Sequence, residues 1–248
     1  MSPRAPKTPK PKGLIRRKRA PTVTTPPTTL PTDPLPDAPK VATARAAVLD
    51  PGARAAPNLS EAPDLTATPL DKISFKELNP RALIAPNFRV YELTKSDLAS
   101  RRAIDNDFTS EQHLRAAIHL ARHVLQPIRD TFGSFTPNSV YRSQALERVL
   151  KNKPTTWLST SQHARGEACD IEIVGMATLA LASWARDHLA DFDQIICECY
   201  NPRQGPNSGW VHISLKAPGQ GPNRRQCLSY VPDTSGRLVY VSGLQATA

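Results

Sequence analysis

Three short segments in the second half of the chain constrain its fold more than any other feature, because each alternates apolar and polar residues. Ala168 to Val174, Phe192 to Tyr200 and Gly209 to Leu215 read as strands, whose side chains point to opposite faces with a period of two. In the first, Asp170 and Glu172 share one face, opposite Cys169, Ile171 and Ile173. In the second, Gln194, Ile196 and Glu198 oppose Ile195, Cys197 and Cys199; in the third, Trp210, His212 and Ser214 oppose Val211, Ile213 and Leu215. Each strand thus has one predominantly apolar face and one that carries polar groups. A single sheet surface can hold them all.

Helices precede these strands. Asn87 to Leu93 leads into a short helix that Thr94 can cap, with Asp97 in its first turn. Thr109-Ser110-Glu111-Gln112 has capping-box spacing, and Leu114, Ile118, Ala121, Leu125 and Ile128 behind it form one apolar stripe. Pro127 is expected to kink that helix or close its last turn. A second helix should start after Ser143 and bury Leu146, Val149 and Leu150, and a third should run from about Ala177 to Leu189. Helices first and strands later predict an α+β domain, with the helices packed on a small, mainly antiparallel sheet. A terminal hairpin is expected around Asp233-Thr234-Ser235-Gly236.

Residues 1–69 read differently from the rest. They hold 15 of the 25 prolines, a basic cluster from Lys7 to Arg19, and almost no periodic apolar pattern. Such a segment buries too little apolar surface to offset its chain entropy, so a disordered arm is expected, with order beginning near Lys72 in a domain of residues 70–248. The formal charge of +10 suits an anionic partner: nucleic acid, a membrane surface, or an anionic envelope or cell-wall polymer. The arm is either an electrostatic tether or a solubilising linker. Four cysteines are too few for a disulfide framework and read as small core residues made in a reducing compartment. No apolar run reaches the ~20 residues of a membrane span, and a Pro/Thr stretch stands where an export signal would be apolar.

The chemistry is concentrated in Ser161-Gln162-His163-Ala164-Arg165-Gly166-Glu167-Ala168-Cys169-Asp170 and, far downstream, Trp210-Val211-His212. Two imidazoles and a carboxylate form a three-ligand set typical of a catalytic zinc, which leaves a position for the water it acidifies. Gly166 permits the tight turn that lets a loop histidine and a strand aspartate face one ion. His119 and His123 are four apart, as in helical zinc motifs, but Leu120 replaces the glutamate such a motif needs, which favours a solvated face. Cys197 and Cys199 read as core, and His113 and His188 as structural. Asp193 either orients a ligand or pairs with a cation.

Ser-x-His-x(6)-Asp followed by Trp-x-His-x-Ser resembles the M15 peptidases, zinc D-Ala-D-Ala carboxypeptidases and peptidoglycan endopeptidases that share a fold with the Hedgehog signalling domain. The resemblance is greatest to the branch found in bacteriophages and their hosts. It spans about residues 87–215 and includes Asn87-Phe88, Val124-Leu125-Gln126-Pro127-Ile128-Arg129, Val140-Tyr141-Arg142-Ser143 and Phe192-Asp193-Gln194. It implies that His163, Asp170 and His212 bind Zn2+, and that Arg142 binds a substrate carboxylate or stabilises the oxyanion. Ser161, Gln162 and Trp210 would line the substrate site. Better-studied branches carry their catalytic histidine two places, or their glutamate three places, before the last ligand. Here those places are Trp210 and Gly209; Glu198 is the expected general base by its place on the middle strand and its parity. The function implied is cleavage of a peptide bond in peptidoglycan, for phage lysis or host-wall penetration, free or virion-associated. The alternative is a non-catalytic, zinc-stabilised virion or envelope binding module.

Overall fold

The computed structural model describes residues 62–246; the basic cluster and most of the expected arm lie outside them. Ordered contacts begin ahead of Lys72. Leu65 N–H donates to the Leu83 carbonyl at 2.8 Å, and Leu83 N–H to Pro63 at 2.9 Å. Arg122 fastens the same stretch, donating to the carbonyls of Leu65, Thr68 and Ile84. Residues 63–68 are therefore hydrogen-bonded to the folded body rather than to one another alone.

A two-stranded ribbon, β1 (Leu83–Ala85) and β2 (Phe88–Arg89), leads into helices α1 (Val90–Thr94) and α2 (Asp97–Arg102). Ser96, not Thr94, caps α2, its Oγ accepting from Ala99 N–H. Helix α3 (Glu111–Leu120) is capped by Ser110. It runs through a π-helical turn at Ala121–Leu125 into α4 (Gln126–Phe132). That turn answers the question posed by Pro127. A proline in an α-helix clashes with the carbonyl four residues back, and one extra residue per turn relieves the clash without ending the helix. The whole stripe of Leu114, Ile118, Ala121, Leu125 and Ile128 is buried. The larger of these side chains contribute roughly 1.5–3 kcal/mol each.

Helix α5 (Gln144–Leu150) follows, capped by Ser143, but of its three expected core residues only Leu146 is buried. Val149 and Leu150 are exposed, so the predicted stripe on this helix is one residue wide. Strand β3 (Ala168–Ile171), helix α6 (Thr178–His188), β4 (Gln194–Glu198), β5 (Trp210–Ser214), β6 (Gln226–Pro232) and β7 (Leu238–Ser242) complete the domain. The five-stranded sheet has the order β3-β5-β4-β6-β7. Its pairings are antiparallel except β4 with β6. The fold is α+β, and the hairpin expected near Asp233 is β6–β7.

Strand parity holds. Cys169, Ile171, Ile195, Cys197, Val211 and Ile213 are buried in one core cluster with the α3 stripe and with Leu181 and Ala185 of α6. Cys199 departs from the pattern. It lies past the end of β4 at φ 57°, only half-buried. All four thiols are free, and burial pushes the Cys197 thiol up to about 12, which keeps it inert.

Candidate metal centre

The cleft face of the sheet is organised by register. Asp170 on β3 stands directly opposite His212 on β5, and His212 opposite Ile196 on β4. One step along, Glu198 stands opposite Trp210. His163 reaches the same place from a single 3-10 turn, His163–Arg165, which Gly166 closes at φ 73°. A Cβ at Gly166 would also meet the His113 carbonyl at 2.3 Å. The turn needs glycine for its conformation and for the close approach of α3.

The three expected ligands converge. His163 Nε2 lies 3.1 Å from Asp170 Oδ1 and 3.2 Å from His212 Nδ1, and His212 Nδ1 lies 3.1 Å from Asp170 Oδ1. All three side chains are buried, and among the described residues this is the one such cluster of histidine, cysteine and carboxylate groups. The donor set fits a metal ion for a further reason. His163 Nδ1 donates to the Val140 carbonyl at 2.7 Å, which leaves the Nε2 lone pair turned to the cluster. A backbone carbonyl that fixes an imidazole in this tautomer is a usual outer partner of a metal-ligating histidine. Burial lowers the His163 pKa, though Asp170 opposes the shift, and the ring is held neutral as a ligand must be.

The Val140–Ser143 segment supplies more than that carbonyl. Asp170 N–H donates to Ser139 and Asn138 N–H to Asp170, so this stretch lies along the free side of β3. Arg142 then donates to Asp170 Oδ2 and to Ser139 Oγ, and sits 3.5 Å from buried Glu147. Its guanidinium holds the ligand carboxylate in place. Burial raises the Asp170 carboxyl, but His163, His212 and Arg142 outweigh it and hold the group well below the usual carboxylate range.

A cleft of about 560 Å³ opens over the cluster, and Ser161, Gln162, Arg142, Glu198 and Trp210 all line it with the three ligands. Every site residue expected from the sequence is therefore in one place. Burial pushes the Glu198 carboxyl up, with Asp170 adding to the shift while His212 and Arg142 oppose it. Sequence reasoning missed Lys151, Arg224 and Tyr240, which also line the cleft. Their strands and loop come after residue 214, or their helix before the motif, and nothing in their spacing pointed here.

Asp193 pairs with cations and bonds Gln162 rather than any of the three ligands. Fully buried, it accepts from the Arg224 guanidinium and backbone, and from Gln162 Nε2 at 2.9 Å, with Lys216 at 3.7 Å. Burial raises its carboxyl, but these partners outweigh that and leave it below its ordinary 3.8. A carboxylate depressed in the folded state stabilises above its unfolded pKa, and that contribution is lost as pH falls through the folded value. Asp193→Asn should cost about 1–3 kcal/mol at pH 7 and less at pH 3, read from urea melts at both pH values. An equal loss at both would refute the charge argument.

Gly209 explains a missing residue. Its φ is 69°, and a Cβ there would lie 2.0 Å from the Glu198 carbonyl oxygen. No side chain fits at that position without prising β5 from β4. Gly209→Ala should destabilise the domain by at least about 2 kcal/mol in a thermal melt; an unchanged melting temperature would overturn this.

Comparison with known proteins follows the same outline. No curated protein and no solved structure gives a match. The Peptidase M15 family matches over residues 86–214, just over half of the 248-residue chain and every element that holds the cluster. On that match the chain belongs to the peptidase M15 family of metallopeptidases.

Proposed function

We propose that this protein is a zinc-dependent peptidase that cleaves a peptide bond in bacterial peptidoglycan. The observation that carries the reading is a buried His163–Asp170–His212 cluster at the floor of an open cleft, with a carboxylate on the neighbouring strand. Two nitrogens and one oxygen make a common donor set for catalytic zinc. Bound there, the ion would supply Lewis acidity to the attacked carbonyl and to water.

The chain's own residues do the rest. Glu198 takes a proton from the attacking water and returns it to the leaving amine, which its raised carboxyl pKa suits better than an ordinary glutamate would. Arg142 keeps the Asp170 carboxylate ionised and aimed, and its cleft-facing side is available to a substrate carboxylate or a developing oxyanion. Gln162 is oriented by Asp193 and, with Ser161 and Trp210, contacts the peptide. A phage lysis or host-wall role suits such an activity, with the basic N-terminal residues held to an anionic envelope, a virion component or nucleic acid. Among the described residues no helix is long and apolar enough to cross a membrane.

Incubation of the full chain with peptidoglycan, with and without a zinc chelator, tests the reading, with fragments identified by mass. A chelator-sensitive peptide fragment is expected and would name the bond, terminal or cross-linking. The second reading, a zinc-stabilised binding module, is favoured only by Gly209 and Trp210 standing where other branches carry their base. Retained zinc with no fragment from several wall types would favour it.

A further inference from the structure

The C-terminal hairpin β6–β7 lies beyond the matched segment, which ends at residue 214, yet it extends the cleft face of the sheet. Register fixes how. Trp210 on β5 stands opposite Glu198 on β4, Glu198 opposite Tyr230 on β6, and Tyr230 opposite Tyr240 on β7. Opposed residues of neighbouring strands project from the same face, so a Trp-Glu-Tyr-Tyr row crosses four strands. It lies two residues from the row that contains Asp170 and His212. The expected base is thereby flanked by aromatic rings on both sides.

Neither tyrosine hydroxyl of this row is hydrogen-bonded among the described residues, and Tyr240 is the one that lines the cleft over all three ligands. Its ring packs on Tyr230 at 4.5 Å between centroids, but the side chain is 59% exposed and lines the cleft with the three ligands and Glu198. Burial pushes the phenol up, and Glu198, Tyr230 and Asp170 add to that, so the proton stays on the oxygen. The charged donors in the same space have partners of their own: Arg142 is bonded to Asp170 and Ser139, Arg165 to Glu167 and Arg224 to Asp193, and Lys151 is paired with Glu147. The cleft therefore holds a neutral donor that the protein itself does not use.

We infer that the hairpin is part of the substrate site and that the Tyr240 hydroxyl donates a hydrogen bond to the carbonyl oxygen of the peptide bond being cut. The inference rests on the peptidase reading. A donor aimed at an oxygen that gains negative charge acts more strongly in the transition state than on the bound substrate. Its loss should appear in kcat.

Tyr240→Phe keeps the ring and removes the donor. In the full chain it should lower kcat about 10- to 100-fold with KM changed less than about threefold. Zinc content and melting temperature should match those of the unmodified protein, and Tyr91→Phe, on the surface of α1, should leave all four quantities unchanged. Unchanged kcat in Tyr240→Phe, a loss confined to KM, or a fall in zinc content or melting temperature would each overturn the inference while leaving the peptidase reading intact. An unmodified protein that releases no fragment from peptidoglycan would overturn the peptidase reading, and this inference with it.

Discussion

His163→Ala is expected to abolish both tight zinc binding and peptide hydrolysis while leaving the domain folded. The imidazole is one of three converging donors, and two donors do not hold zinc against water and buffer at neutral pH. Its removal also frees the Val140 carbonyl, which accepts the Nδ1 proton at 2.7 Å. The ring itself lines the cleft, so the space it vacates lets water reach that carbonyl, and the structural cost should be about 1–3 kcal/mol, well short of unfolding. The expected readings are zinc content near zero after dialysis, no fragment release, and a far-ultraviolet spectrum unchanged from the parent. Full activity in His163→Ala would remove the metal mechanism altogether. Arg142→Lys gives a graded companion, because a lysine cannot make the two directed bonds to Asp170 and Ser139 that the guanidinium makes. Weakened zinc affinity by about 10- to 100-fold is expected, in the range found when outer partners of metal ligands are lost.

What could be read from the sequence, and what could not, follows from the range of the interactions involved. The α3 stripe and the strand alternation are local patterns, and they gave the helices, the faces of β3, β4 and β5, and the common surface for Asp170, His212 and Glu198. Motif order placed His163 with them. Harder to read was whatever depends on a partner remote in the chain. Val149 and Leu150 look like a buried stripe, but no described residue covers the outer side of α5, and they remain exposed there. The reciprocal amide bonds between Asn87 and Gln126, 39 residues apart, tie two pieces of the family pattern together without leaving any periodic trace. Tyr240 was invisible for the same reason: only the parallel pairing of β4 with β6 brings the hairpin beside Glu198. Pro127 signalled a disturbance in the helix but not its form, since a kink, a stop and a π-turn all relieve the same clash.

Glu198→Gln should lower kcat by about 10²- to 10⁴-fold with zinc fully retained, and this separates the base from the ligands. Glutamine keeps the volume and hydrogen-bonding shape of the side chain but cannot take a proton. Three observations single out Glu198 for this role. It lies diagonally across the β4–β5 ladder from His212, within the reach of a long side chain. It lines the cleft, yet no ion pair engages its carboxylate among the described residues, whereas Asp170, Glu147, Glu167 and Asp193 are all paired. The glutamate position used in other branches is closed here, because Gly209 presses on the Glu198 carbonyl itself. The pH profile carries the same argument. Burial raises the Glu198 pKa from its ordinary 4.5, so activity should fall on the acid side as the carboxylate is protonated, with a midpoint above that value. In Glu198→Gln that acid limb should disappear from whatever activity remains. A variant that keeps the parental rate, or the parental acid limb, would show that the proton is taken elsewhere in the cleft.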